Sequence, residues 1–467
     1  MSARSPRDLW NKAIAATLLA TMALVLAARL FASDALWHLA WGAVAATLFC
    51  TAPRLRLREF YLLALSLVIA AVVWATREDR VEILTAALDQ AGFLMVFILL
   101  LALLREAAVT SPSVGELGAF LTRQPAGRRY AALYSGTAFM AVIFNIGVVS
   151  FLVPLIQRGI ARANTTDGRD AIRERRQISA MLRGFAWSVI WSPTALAPLA
   201  LMELIPGVDR LRWIGWGLVV FALVLALGWA EERWRFRAYR PTGAIRPLPM
   251  PPAAAARFAA SCGWLLGLSW IIAELRGESV VFGLMVSCPI MLVGWLVAQN
   301  GIGPTGRRAT AARLREILID TIPASGPIAV TLAASGFLGR AGAGVVPGDA
   351  LVAALHLDTM PDWMLLAAIP VVLSLFSLLA FSPIMMAIFF GSLFGGLTEM
   401  PADPTLIALA ISCGWALSMT FSPFATVVLL IQRISGIPAL RLTLGWNVAF
   451  TVLSAALLAV FFAAIRP

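Results

Sequence analysis

Apolar residues fall along this chain in long unbroken runs, and polar residues collect in the short segments between them. A helix needs roughly 20 consecutive apolar residues to cross the hydrocarbon core of a bilayer. Runs of about that length occupy residues 13–31, 35–52, 59–75, 130–156, 178–205, 212–230, 257–273, 280–298, 363–397, 405–431 and 441–464. Two further apolar stretches lie at 82–104 and 322–340. The pattern predicts an all-α polytopic membrane protein with about 11 transmembrane helices.

Composition removes the soluble alternative. Of 467 residues, 60% are hydrophobic and 13% charged, against about 45–50% and 25% in soluble domains. The net charge of +12 is almost all arginine, because Lys12 is the only lysine. These arginines sit in short loops between apolar runs, which is a topology signal and not a face that tracks phosphates, so nucleic acid is excluded as a partner. Cys50, Cys262, Cys288 and Cys413 lie inside apolar runs without CxxC spacing. They read as buried small residues, and with His38 and His356 the only histidines, no metal site is expected. The basic segment Met1–Lys12 leads into the first run as an uncleaved span.

The arginine clusters set an orientation. Arg54, Arg56 and Arg58, then residues 157–177, 231–257 and 299–316, carry the arginines expected on the cytoplasmic side. The N-terminus is then cytoplasmic and the chain sits in a bacterial inner membrane, with the lipid bilayer as its first partner. On this reading 82–104 begins and ends outside and 322–340 begins and ends inside. Both are therefore expected to be re-entrant hairpins; Arg105, Arg123, Arg128 and Arg129 then fall outside, which keeps a plain extra span at 82–104 as the alternative. The proline-rich stretch 231–257, with Pro241, Pro247, Pro249, Pro251 and Pro252, reads as the linker. It separates N-terminal scaffold helices (1–81) and a first repeat (82–230) from connecting helices (258–316) and a second repeat (317–467).

An internal repeat supports that division. Gly184, Ser188, Ser192, Pro193 and Ala195 recur as Gly414, Ser418, Ser422, Pro423 and Ala425, 230 residues on, and Gly215-Trp216 recurs as Gly445-Trp446. Upstream, Phe144-Asn145-Ile146-Gly147 aligns with Phe381-Ser382-Pro383, and Arg105 and Pro112 with Arg340 and Pro347. The predicted topology turns one copy over relative to the other, giving two inverted repeats with broken helices, an architecture common in secondary transporters.

Candidate chemistry follows from the prolines. Pro193 and Pro423 each remove a backbone donor mid-span, and freed carbonyls in lipid need other partners. Ser192 and Thr194 supply hydroxyls in one half, Ser422 and Thr426 in the other. Asn145, Gly147, Ser382 and Pro383 form the second pair of candidate breaks. A proline kink explains one Ser-Pro; two at equivalent positions favour a substrate or ion site. Oxygen ligands suit a cation such as Na⁺, and half-helix N-termini suit an anion. Asp89 is the candidate proton carrier, which keeps a cation/proton antiporter open as the alternative. A multispanning enzyme would need a large catalytic loop; 105–129 is short and lacks histidine, so no enzymatic activity is expected. No Walker-type loop is present.

These residues resemble the ion transporter superfamily, which includes divalent anion/sodium symporters, arsenite permeases and some sodium/proton antiporters. Gly127-Arg128-Arg129-Tyr130, Phe144-Asn145 and Val153-Pro154 resemble its stretch with an Asn-Thr helix break, and the two Ser-Pro segments resemble its second broken-helix motif. The resemblance covers about 85–230 and 315–464. It implies that Asn145, Ser382, Ser192, Pro193, Ser422 and Pro423 line sites for a small, anionic solute and a coupling Na⁺ or H⁺. It also implies a transport domain moving against a scaffold within a homodimer. The family's Ser-Asn-Thr signature is replaced here by Phe-Asn-Ile-Gly and Phe-Ser-Pro-Ile.

Overall fold

The structure, a computed structural model, describes residues 6–108, 111–163, 168–239, 248–357 and 359–465. Among these the chain is helical throughout, with no β-strand. In order, the first helices are α1 (Pro6–Phe31), α2 (Asp34–Thr51), α3 (Leu57–Thr76), α4 (Arg80–Ala108) and α5 (Pro112–Thr122). Next come α6 (Ala126–Phe144), α7 (Gly147–Ala163), α8 (Asp170–Ser188), α9 (Leu196–Leu204) and α10 (Arg210–Arg235). Then follow α11 (Pro252–Arg276), α12 (Val280–Asn300), α13 (Pro304–Glu316), α14 (Gly326–Val345) and α15 (Gly348–Ala354). The last are α16 (Asp362–Ser377), α17 (Pro383–Gly395), α18 (Pro404–Phe421), α19 (Thr426–Ser435) and α20 (Val448–Ala464). Nine helical runs among the described residues are long and apolar enough to cross a membrane, and α16, α17 and α20 are shorter apolar helices. The chain is a multi-pass helical membrane protein.

It folds into two compact units, Met1–Ser111 with Ser261–Val346, and Pro112–Ala260 with Pro347–Pro467. In the first unit α14 packs on α4 and α3, α1 on α2, and α12 on α4. Val73, Ala87 and Ala341 form a small-residue core there, and the hydroxyls of Thr21 and Thr47 meet at 3.2 Å between α1 and α2.

Neither stretch expected to form a hairpin does so. Residues 82–104 lie inside α4, a single 29-residue helix. It holds no proline and only one glycine, Gly92, so nothing there lets the chain turn. Residues 322–340 belong to a helical run from Pro304 to Val345. That run passes through a π-turn (Ile317–Thr321) and a 3₁₀ turn (Ile322–Ser325) without reversing; Pro323 sits in the first turn of the 3₁₀ piece and Pro327 in the first turn of α14, where no donor is needed.

The hairpins form instead in the second unit, at two stretches expected to cross. Arg129, at the start of α6, lies among the charges of Arg173, Arg176 and Glu232. Gln157, on α7, donates to Glu174 at 2.9 Å. Both ends of the α6–α7 pair therefore sit beside the start of α8. Its middle lies elsewhere: Val142 accepts from Thr194, beyond the end of α8, at 2.6 Å. The chain climbs along α8 and returns, turning at Asn145-Ile146. Phe144 and Phe151 stack across the turn, centroids 6.3 Å apart, where seven residues of unbroken helix would rise about 10.5 Å. In α16–α17, Leu373 and Ser377 lie beside Ser418 and Ser422, and α17 returns to the loop that opens α18.

The long axes of this unit run in opposite directions. The start of α8 and the end of α19 meet at Gln157, which donates to Glu174 and to the Ser435 carbonyl. At the other end the Asp209 backbone N–H donates to Thr405 at 3.0 Å, and Arg212 pairs with Asp403 at 2.6 Å. So α8–α9 and α18–α19 are antiparallel, and each hairpin enters from the opposite end. The pairing is reciprocal: α7 packs on α19, α17 on α9, and α8 on α18.

Two of the repeat glycines do the same work. A Cβ at Gly184 would run into the Tyr134 carbonyl oxygen, and one at Gly414 would lie 2.8 Å from Leu373 Cβ and 3.1 Å from Pro370 Cα. Each lets its helix press against the first arm of its hairpin. The proline-rich linker is shorter than expected, because α10 continues to Arg235 and α11 begins at Pro252; residues 240–247, with Arg240, Pro241, Arg246 and Pro247, lie outside the described residues.

A Cβ at Gly215 meets nothing within 4 Å, so Gly184→Ala and Gly215→Ala form a matched pair. Gly184→Ala is expected to destabilise by about 1–3 kcal/mol through overpacking, and Gly215→Ala to leave stability unchanged or raised. Thermal unfolding of both in detergent checks this; equal melting temperatures would refute the close α6–α8 approach.

Candidate functional site

Each hairpin tip is closed by a hydroxyl from an interrupted helix. At the first tip, Asn145 adopts φ 46°, ψ −134°, a left-handed φ that asparagine tolerates better than most residues. Its side-chain Oδ1 accepts from the Ile146 N–H at 2.7 Å. In a continuing helix that N–H would have gone to the Val142 carbonyl. Val142 is therefore left without its helical donor, and the Thr194 hydroxyl supplies one. Gly147 then opens α7.

Thr194 can reach because α8 stops. The segment 189–195, carrying Ser192 and Pro193, separates α8 from α9. Ser192 and Thr194 are 2% and 1% exposed, and their hydroxyls lie 3.2 Å apart. The Ile190 carbonyl, also released by the break, accepts from the Trp213 indole N–H at 2.9 Å. Gly217 lets the α10 backbone come this close, since a Cβ there would sit 2.5 Å from that oxygen.

The second half repeats the task with different residues. α16 ends at Ser377, whose carbonyl accepts from the Ser422 hydroxyl at 2.6 Å. Ser422 is the C-cap of α18 and 1% exposed. Its oxygen also accepts from the Phe424 N–H at 3.2 Å. Ser382 caps α17, accepting from the Met385 N–H at 3.2 Å, with Pro383 in the first turn. Ala380, at φ 65°, makes the reversal between the arms. Thr426 opens α19, where its side chain is exposed.

Asn145, Gly147, Ser192, Pro193, Thr194, Ser382, Pro383, Ser422 and Pro423 all stand at breaks of the second unit. Four helix starts, those of α7, α9, α17 and α19, follow these breaks directly, and each presents backbone N–H groups with partial positive charge. Among the described residues no group of three or more His, Cys, Asp or Glu gathers; the breaks themselves carry carbonyl and hydroxyl oxygens. Asp89 belongs to the first unit, half-buried on α4, where the Trp41 indole N–H donates to it at 2.9 Å.

Sequence reading passed over Arg183. It is 3% exposed, pairs with Glu231 at 2.9 Å and donates to Asn447 Oδ1 at 2.8 Å. Its guanidinium also lies 4.0 Å from the Phe450 ring centroid. Asn447 in turn donates to the Leu442 carbonyl at 2.6 Å. One arginine thus ties α8 to α10 and to the segment entering α20. A charge inside the 178–205 run was the available signal.

Thr194→Val keeps the side-chain shape and strands the Val142 carbonyl. It is expected to destabilise by about 1–3 kcal/mol, with Thr194→Ser restoring most of the loss; Ser422→Ala should behave alike at Ser377. Glu231→Gln leaves the Arg183 charge without its partner and should destabilise by about 3–5 kcal/mol. Denaturation in detergent reads all of these, and wild-type stability in Thr194→Val or Glu231→Gln would mean that the bond does not hold the fold.

No protein-family model matches the sequence, and no curated protein matches it. Among solved structures, the crystal structure of the Alcanivorax borkumensis YdaH transporter, reported to have an unusual topology, is similar at a TM-score of 0.49 and 15% identity. The match covers 88% of this chain and 98% of that one. At that level the likeness carries no argument about this chain.

Proposed function

We propose that the chain is a secondary active transporter that moves a small anionic solute across the inner membrane, coupled to Na⁺ or H⁺. The observation that carries this reading is the paired construction of the second unit. Two antiparallel copies of hairpin plus interrupted helix place buried hydroxyls and helix N-termini at four breaks. Polar backbone inside an apolar layer is tolerated where it lines a cavity or is buried in protein, and this is where transporters of inverted-repeat design bind solute and ion. Helix N-termini favour an anion; freed carbonyls and hydroxyls favour Na⁺.

The reading also gives a consistent topology. With the N-terminus cytoplasmic, α1 to α4 cross in turn, and Arg105, Arg123, Arg128 and Arg129 come to the inside with the other arginines. The α6–α7 hairpin then enters from the cytoplasm and α16–α17 from the periplasm. Counting α8–α9, α13–α14 and α18–α19 as one crossing each leaves eleven crossings and two re-entrant hairpins.

Reconstituted proteoliposomes test the proposal. Uptake of small mono- and dicarboxylates and inorganic oxyanions is measured under an imposed Na⁺ or proton gradient. One of these is expected to accumulate, and Ser192→Ala and Ser382→Ala are expected to lower its kcat/KM by about tenfold or more, the weight of one lost polar contact. Absence of flux for every solute under both gradients would sink the transporter reading. Coupled proton efflux that disappears in Asp89→Asn, without solute uptake, would favour a cation/proton antiporter.

A further inference from the structure

The arginine-rich end of the second unit holds a cleft that the transport reading does not use. It is lined by Arg175, Arg176, Ser179 and Arg183 of α8, Glu231, Glu232 and Arg235 of α10, and by Tyr130, Phe236 and Trp446. Four guanidiniums face two carboxylates. Arg183 and Arg235 pair with Glu231, at 2.9 and 2.8 Å, and Arg176 pairs with Glu232. Each acid thus already faces at least one guanidinium. Arg175 is left with two ring contacts, to Phe236 and Trp446, at 5.6 and 5.9 Å from their centroids, and no ion pair among the described residues. Burial, and next the neighbouring Arg235 charge, pull Arg175 below the usual guanidinium range; Glu231 opposes them, and Arg183 and Arg441 add to the lowering.

A second feature points the same way. Ser179 lines the cleft and is 7% exposed, and its hydroxyl has no hydrogen-bond partner. A buried hydroxyl without a partner is costly, and here it stands one helical turn from Arg175 and Arg183, on the same face of α8. Excess guanidinium forks, an idle hydroxyl and an aromatic wall together match a tetrahedral oxyanion, whose several oxygens accept from forked donors. A carboxylate solute would satisfy fewer of them.

We propose that this cleft binds a phosphate group, with Arg175, Arg176 and Ser179 as its donors. The site stands apart from the helix breaks and does not depend on what is transported. Phosphate reaches it either as the headgroup of an anionic phospholipid or as the free ion. A lipid would rest its glycerol and chains against Phe236 and Trp446, at the end of the unit where the arginines gather.

The test uses the full chain, delipidated in an uncharged detergent. Its melting temperature is followed against phosphatidylglycerol in mixed micelles, with phosphatidylcholine as control. A parallel titration uses sodium phosphate, with chloride holding ionic strength constant. At least one phosphate probe should raise the melting temperature above its control. Arg175→Ala should weaken that binding by about tenfold, the loss of one charge-assisted hydrogen bond. Ser179→Ala should weaken it less, and Arg175→Lys should keep most of it. Stabilisation by phosphatidylglycerol alone identifies a lipid site; stabilisation by both probes identifies a phosphate site open to either source, and by phosphate alone a free-ion site. No stabilisation beyond the controls overturns the proposal. So does binding unchanged in Arg175→Ala, and if that binding is lost in Ser382→Ala, the anion sits at the breaks instead. None of these results bears on whether solute flux exists.

Discussion

A helix that stops inside an apolar layer must find new partners for the carbonyls and N–H groups it releases, and the second unit is organised around that need. Three released carbonyls are served from a different element. Val142 is served by Thr194, Ser377 by Ser422, and Ile190 by the Trp213 indole. At Asn145 the side chain itself takes the next N–H. These bonds have no competitor in a dry interior, so each is held more firmly than its counterpart at a protein surface. They also fix which helices neighbour one another. A tip that depends on a hydroxyl across the unit can form only when the interrupted helix lies beside it.

Much of this was legible in the chain. The Ser-Pro pairs at 192–193 and 422–423 mark two interrupted helices, and the glycines eight residues earlier, Gly184 and Gly414, mark their close approach to a neighbour. What hydropathy could not see was where the chain reverses. Apolar length measures how much chain fits in lipid, and it is blind to a turn of two residues such as Asn145-Ile146. The stretches 130–156 and 82–104 look alike by that measure, yet one folds back and the other is straight. The arginines carried the missing information. Arg105, Arg123, Arg128 and Arg129 fit poorly on the outer side, and the proposed topology, with α4 crossing and α6–α7 returning, brings them to the inner side. Arg183 was harder to find, because its partners Glu231 and Asn447 lie 48 and 264 residues away and only folding assembles them.

The two halves preserve a task more faithfully than a residue. Position 192 aligns with 422, and position 194 with 424. In the first half Thr194 closes the hairpin while Ser192 bonds to it; in the second, Phe424 stands where Thr194 would be, and Ser422 itself reaches the tip. The change is possible because a serine at the C-cap and a threonine two residues on both project hydroxyls toward the same neighbouring arm. Thr426, singled out from sequence as the second hydroxyl of this half, instead begins α19 with its side chain exposed. The two copies therefore close their tips with different residues at aligned positions.

The strengths of the contacts differ along the first hairpin, and the difference sets where it can move. Near its base, Tyr130 lies beside Arg183, and that arginine is buried, paired and hydrogen-bonded to two further segments. Breaking such a pair strands a charge at about 3–5 kcal/mol. At the tip, one hydroxyl-to-carbonyl bond joins Thr194 to Val142, worth about 1 kcal/mol net. The hairpin is therefore held least firmly at Asn145 and most firmly toward the arginine-rich end. On the proposed transport reading, a solute oxygen that replaces the Thr194 hydroxyl, or accepts from it, would exchange one bond for another and leave the base in place. The bonds thus make a weakly held tip on a firmly held base, and the second hairpin, of opposite polarity, faces the other way.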